Sequence, residues 1–264
     1  RHRARLTNAT RDFFAGRGLL EVETPALVRH GVTDPHLQNI AAHLGNGQRL
    51  FLHTSPEFHM KRLLAAGAPD IWQLCKVFRD GESGRRHEPE FTLLEWYRHG
   101  YTLGQMARET CDLLLALAQS AERAGAAPAI SRGPPVWWSY ADLFRAVLGI
   151  DPLAAGPAEL QDCARRRLGA EASGALRGSL GDEPSLWLDL LMSHAVSEHL
   201  ATTGIAVVTG YPAAQAALAR LDPGDARVAE RFEIFCRGIE VANGYRELAD
   251  APEQDRRFAA DRAF

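Results

Sequence analysis

The amino-acid sequence predicts an α/β fold in which an antiparallel sheet is flanked by helices, and three observations carry that expectation. Two runs rich in aliphatic and aromatic residues, Ile71 to Arg79 and Glu90 to Arg98, flank a charged loop with two glycines and a proline, which reads as an antiparallel hairpin with a long tip. Leu103 to Ala124 places apolar residues at helical spacing behind Thr102. Strand character returns at Ile205 to Thr209 and at Phe232 to Val241, after a stretch from about 126 to 201 that reads as a helical insert. No internal repeat is visible, so the expectation is one domain over residues 1–264.

The elements follow in order. Leu6, Ala9, Phe13 and Phe14 share one helix face, and Gly16 and Gly18 supply a stop. Leu19 to Pro25 is a short strand closed by proline, which cannot donate to a ladder. Arg49 to Ser55 is a strand, and Pro56 in first helical position opens a helix after Ser55. In the second run of the hairpin, alternation puts Phe91, Leu93, Glu95 and Tyr97 on one face and Thr92, Leu94, Trp96 and Arg98 on the other. Ser139 and Asp142 resemble a capping box that opens a short helix.

Composition narrows the classes of function. Thirty Lys and Arg against 33 Asp and Glu give a formal charge of −3, which argues against a general polyanion binder. With 46% hydrophobic and 24% charged residues the chain is ordinary for a globular core, and no apolar run reaches the roughly 18 residues of a membrane span. The expectation is a soluble, cytoplasmic protein. Four scattered cysteines without a CxxC pair predict reduced thiols and no structural zinc. The missing Met at Arg1 and the stop at Phe264 inside a helix-period segment read as trimmed ends.

Several charged residues sit where apolar ones are expected. Glu57 follows Pro56 and could simply complement a helix dipole. Glu95 lies mid-strand and must be paired, hydrogen-bonded or on an edge. Glu240 and Glu247 stand seven apart, and a turn at Asn243-Gly244 would bring them toward one point, where Mg²⁺ takes carboxylate and phosphate oxygens. The bland alternative is a plain hairpin turn. Arg79, Arg85 and Arg86 offer forked, permanently charged donors suited to phosphate, although a solvated basic loop is equally compatible. His194 and His199 are five apart, not the i,i+4 of a helical metal pair. P-loop, dinucleotide and GxSxG fingerprints are absent from the sequence.

The stretch from Phe78-Arg79-Asp80 through His87 to Phe91-Thr-Leu-Leu-Glu95-Trp-Tyr97 resembles motif 2 of the class II aminoacyl-tRNA synthetases, in the lysyl subgroup, and Gly18-Leu-Leu-Glu-Val-Glu-Thr-Pro25 resembles motif 1. The resemblance runs from about Arg11 to Arg98 and from about Tyr211 to Phe258. Thr54-Ser-Pro-Glu-Phe-His-Met-Lys-Arg-Leu63, Gln73-Leu-Cys75 and Leu94-Glu-Trp-Tyr-Arg98 are similar to a branch of that family whose members attach (R)-β-lysine to a lysine of translation elongation factor P.

The resemblance implies a class II synthetase-like fold, ATP as substrate, Mg²⁺ as its partner, and a homodimer through motif 1. It implies that Arg79 holds the α-phosphate and the substrate carboxylate, that Arg86 and His87 reach the outer phosphates, and that Phe91 stacks on adenine. Glu240 and Glu247 would bind Mg²⁺ and through it ATP. Glu57 would take one amino group of lysine or β-lysine, Glu95 and Tyr97 would read the other, and Ser55 and Asn243 would line the same pocket. The implied activity is an ATP-dependent ligase with elongation factor P as acceptor and tRNA disfavoured as partner. Its alternatives are the core of a lysyl-tRNA synthetase and a silent regulatory paralogue. The chain departs from the family at Gly81, where an acid is expected, and at Glu88, where Asn is usual. Motif 3, a glycine-rich strand and helix with an ATP-clamping arginine, is not among these residues, so completion of the nucleotide site is expected to require it.

Overall fold

The computed structural model describes residues 1–34, 37–84, 87–127, 130, 133–169, 178 and 180–263. The chain divides into two compact units, residues 7–101 with 250–264, and residues 1–6 with 102–249. The architecture is mixed α/β with antiparallel sheets and helices.

The first unit is built on the expected hairpin. Strands β5 (Ile71–Phe78) and β6 (Glu90–Tyr97) pair antiparallel from Ile71 opposite Tyr97 to Phe78 opposite Glu90. Strand β1 (Leu20–Glu21) joins the β5 edge in parallel. A smaller antiparallel sheet has the order β2 (Leu27–Val28), β4 (Arg49–Leu52), β3 (Ala41–His43). Helix α1 (His2–Ala15) ends one residue before Gly16, as its stop signal predicts. Its Phe14 stacks on Trp72 with centroids 4.9 Å apart and lies 5.4 Å from Trp96, which fixes the rear face of the hairpin. Helix α2 (Glu57–Ala65) begins one residue later than expected, because Pro56 serves as its N-cap residue and not as its first helical one.

The second unit is a four-stranded sheet in the order β10 (Ile239–Tyr245), β9 (Val228–Cys236), β8 (Ile205–Pro212), β7 (Val136–Ser139). Helix α3 (Leu103–Arg123) opens on the Thr102 and Gln105 capping box and covers one face, packing Ala107 and Cys111 against Val207, Phe232 and Ile234. Helices α4 (Tyr140–Leu148), α5 (Pro157–Leu168) and Pro184–Leu191 cover the other through Phe144, Leu160 and Leu191. The Ser139 hydroxyl caps α4 by accepting from the Asp142 N–H at 3.0 Å. After Leu191 the helix widens into a π turn, Met192–Val196, before closing at Ser197–Leu200.

Three sequence expectations need correction. The stretch from about 126 to 201 is not helical throughout, since Val136–Ser139 is a strand that completes the sheet. The sheets are not wholly antiparallel, because β1 pairs parallel with β5 and β7 with β8. Phe232 to Val241 is not one strand, because the chain reverses at Arg237-Gly238 and Cys236 pairs with Ile239. Both turn residues have positive φ, +52° and +75°, the geometry that a two-residue hairpin matched to strand twist requires.

Asn243-Gly244, read as the turn, lies inside β10 opposite Glu233 and Phe232. Gly244 is there for space: a Cβ at that position would meet the Phe232 ring at 2.6 Å. The turn-forming dipeptide signal was therefore overridden by a cross-strand aromatic that needs a bare backbone.

Candidate active site

In the first unit the functional side chains line one face of β5 and β6. Arg79, at the end of β5, has its guanidinium carbon 5.0 Å from the centre of the Phe91 ring, donates from Nε to the Thr54 carbonyl at 3.4 Å, and reaches Glu82 at 3.5 Å. Contact with a ring and two oxygens holds the fork in a fixed direction. Four residues along β6, a distance of roughly 13 Å at strand rise, Glu95 accepts a hydrogen bond from the Tyr97 hydroxyl at 2.9 Å. The alternation predicted for Phe91, Glu95 and Tyr97 thus corresponds to two real contacts on one face.

Opposite Glu95 in the register stands Gln73, 2% exposed. Burial, with the Glu95 charge second, pushes the Cys75 thiol up to about 11. Ser55 and Glu57 meet at the start of α2, where the Glu57 N–H donates to Ser55 Oγ at 3.4 Å and the Glu57 carboxylate pairs with Lys61 at 2.7 Å. His87 is exposed, and its carbonyl accepts from the Gly84 N–H. Arg85 and Arg86 lie outside the described residues.

At the base of the hairpin Arg98 pairs with Asp70 at 3.0 Å and lies over Tyr101. Burial by itself would raise the Asp70 carboxyl, but hydrogen bonds from the His99 backbone and ring and from Arg98 hold it below its ordinary range. Burial, then the Arg62 and His53 charges, pull His59 on α2 below its usual value.

In the second unit a bulge decides which side chains share a face. Glu240 pairs with Phe235 and Asn243 with Glu233, so Val241 is the extra residue. Without it Glu240 and Asn243, three apart, would point to opposite sides. With it both stand on the side of Phe235 and Glu233, because directly paired residues project together. Glu240 and Asn243 are exposed. Glu247 does not turn back toward Glu240; it lies two residues past β10, half-buried, in an antiparallel bridge with Ala219. The reversal that would have brought the two carboxylates together is absent.

Glu233 is a charged residue that the sequence reading passed over, although an acid inside Phe232-Glu233-Ile234-Phe235 meets the criterion that selected Glu95. It is 6% exposed and is met at 2.6 Å by Arg231, which also lies 4.7 Å over the Tyr211 ring and donates to the Gln215 carbonyl. Burial, followed by the Glu233 charge, pushes the Tyr211 hydroxyl well above its usual range. Gln73 belongs to the motif Gln73-Leu-Cys75, and nothing in the pattern of a single strand singles out its amide.

Among the described residues no group of three or more His, Cys, Asp or Glu side chains converges as a self-sufficient metal cage. Mg²⁺ does not need one, since it takes one or two carboxylates and completes its shell with phosphate oxygens and water. Glu240 and Glu247 are oxygen donors suited to that chemistry one carboxylate at a time, not as a converged pair.

Comparison with known proteins places these features in a class. A family model described as tRNA synthetases class II (D, K and N) matches residues 1–263, and the chain belongs to that family. Curated relatives carry a more particular name, elongation factor P--(R)-beta-lysine ligase. The protein of that name from Erwinia tasmaniensis is 45% identical, with 98% of this chain and 76% of the relative covered. Those from Mannheimia succiniciproducens and Haemophilus ducreyi are 44% and 42% identical, with 98% of this chain covered and 76% and 75% of the relatives. Among the described residues no helix is long and apolar enough to cross a membrane.

Proposed function

We infer that this protein is an ATP-dependent ligase that activates (R)-β-lysine, or lysine, as an aminoacyl-adenylate and transfers it to a lysine side chain of elongation factor P. The observation that carries this reading is the ligand face of β5 and β6. Arg79 against Phe91 at one end suits a phosphate beside a stacked base, and Glu95 held by Tyr97 at the other suits an ammonium group. The names of the relatives supply the acceptor and the β-amino acid.

The chemistry follows from charge. The carboxylate of a lysine-type substrate is ionised at neutral pH, so attack on the α-phosphorus needs no general base. Its oxygen bonds to the α-phosphorus, the bond from that phosphorus to the α,β-bridging oxygen breaks, and pyrophosphate leaves with the bridging oxygen. Arg79 supplies alignment and offsets charge on the oxygens around phosphorus. Arg86 and His87 take the outer phosphates. Glu240 and Glu247 would each offer a carboxylate to Mg²⁺, which would supply positive charge beside the phosphates. Glu57 takes one amino group, Glu95 and Tyr97 the other, and Ser55 and Asn243 contribute polar atoms. In the second step the acceptor's ε-amine, after losing a proton, attacks the acyl carbon and AMP departs.

We assign both units to one catalytic domain acting in the cytoplasm as a homodimer through the motif 1 region, where Leu20 on the edge strand β1 is half exposed. The test supplies full-length protein with ATP, Mg²⁺ and either lysine or (R)-β-lysine and measures pyrophosphate exchange, then follows label into elongation factor P or tRNA. Exchange with β-lysine and label in the protein acceptor are expected. Label in tRNA instead, or no exchange with either amino acid, would overturn the assignment.

A further inference from the structure

We propose that Gln73 is a further substrate-contacting residue, accepting a hydrogen bond from the ammonium group that Glu95 neutralises. The inference rests on the ligase reading and adds a specificity element to it. Gln73 is 98% buried by its 2% exposure, and its Oε1 has no hydrogen-bond partner among the described residues. The register sets Gln73 directly opposite Glu95, and directly paired residues project from the same face of a hairpin.

A buried amide oxygen without a partner is costly to the fold, and proteins keep few of them. A ligand that donates to it removes the cost on binding. The ligand face already calls for a primary ammonium, which has three N–H donors in a tetrahedral array and cannot satisfy all of them on a single carboxylate. Glu95 supplies the charge, while the neutral Gln73 oxygen supplies a second acceptor that fixes direction without a second negative charge. A site with acceptors placed in this way discriminates strongly against a substrate that lacks the matching donors.

The experiment compares the full-length protein with Gln73→Met, which keeps length and removes the acceptor, and with Gln73→Glu, which restores an oxygen. Pyrophosphate exchange gives KM separately for amino acid and for ATP, and thermal unfolding gives Tm. The expected result for Gln73→Met is a KM for the amino acid raised tenfold or more, a KM for ATP within twofold, and a Tm that does not fall, since the orphaned oxygen is gone. Gln73→Glu is expected to recover the amino-acid KM only in part, because its added charge stands directly opposite Glu95. An amino-acid KM within twofold of the parent in Gln73→Met overturns the proposal. So does a parallel rise in both KM values with a lower Tm, which would mark a structural role. Should the parent show no exchange, the ligase reading fails separately, and calorimetric titration of lysine into parent and Gln73→Met decides the contact: equal affinities, or no binding by the parent, overturn it.

Discussion

Two of the sheets carry an acid inside a strand, Glu233 buried and Glu95 half-buried, and the groups that meet the two carboxylates differ. Glu233 on β9 is neutralised from within, by an arginine at 2.6 Å that is itself held against a tyrosine ring and a backbone carbonyl. Glu95 on β6 is steadied by a phenol hydroxyl and faces a neutral amide and a neutral thiol. An internal cation turns an acid into structure, because removing the cation strands a buried charge. The Tyr97 hydroxyl orients the Glu95 carboxylate on the ligand face. The difference teaches that burial alone does not mark a site; the nature of the compensating group does.

The comparison can be broken by substitution, starting with the largest effect. Arg79→Ala should lower pyrophosphate exchange by about 10³-fold, the scale of losing a fixed charge at the reacting centre, with the unfolding midpoint in urea unchanged. Arg231→Met should do the reverse in kind: about 3 kcal/mol of stability lost in urea unfolding, from an uncompensated Glu233. A silent Arg231→Met would place Glu233 among the ligand-facing acids. Glu95→Gln should raise the amino-acid KM about 100-fold while leaving the ATP KM and the urea midpoint near the parent values. Equal losses for both ligands would move Glu95 out of the ammonium site.

Smaller effects sharpen the picture. Gly244→Ala should cost about 1–3 kcal/mol by overpacking against the Phe232 ring. A change within experimental error would mean that the ring has room to yield. The smallest effect concerns pH. Asp70 and His59 both have folded values below their ordinary ones, 3.8 and 6.5. For each, the unfolded chain binds more protons in the window between the two values, so stability rises with pH there. The contribution of His59 is therefore present above pH 6.5 and lost as pH falls below it, and that of Asp70 is lost below 3.8. Denaturant midpoints for His59→Gln and Asp70→Asn should show a flattened dependence in the corresponding window.

Much of this was legible from sequence, for reasons that differ by element. The β5–β6 hairpin, α3 and the caps at Thr102 and Ser139 are local signals, set by alternation, a 3.6-residue period and hydroxyl placement, and they stand where expected. That Phe91, Glu95 and Tyr97 share a face follows from a strand's period alone, whereas the ligand roles of Arg79, Phe91 and Tyr97 come from the resemblance to motif 2. The errors occurred where one strand's conformation is dictated by another. Asn243-Gly244 has the stronger dipeptide signal, yet Arg237-Gly238 makes the turn, because Phe232 must find a bare backbone across the ladder. The Val241 bulge, which alone puts Glu240 and Asn243 on one side, leaves no mark in a single strand's pattern. Gln73 was hidden because an amide in a strand is unremarkable until its register partner is known.

The π turn at Met192–Val196 carries one residue more than an α-helix of the same rise would hold. Chain length is therefore slack at this point. Removing a single residue there should let the ladder close as ordinary helix while Leu191 before it and Leu200 after it keep their places in the core. The edge contact of His199 with Trp138, 6.2 Å between ring centres, would report the outcome through indole fluorescence. A register that can absorb a deletion makes this helix a joint where the sequence is free to change length without the sheet beneath it being redrawn.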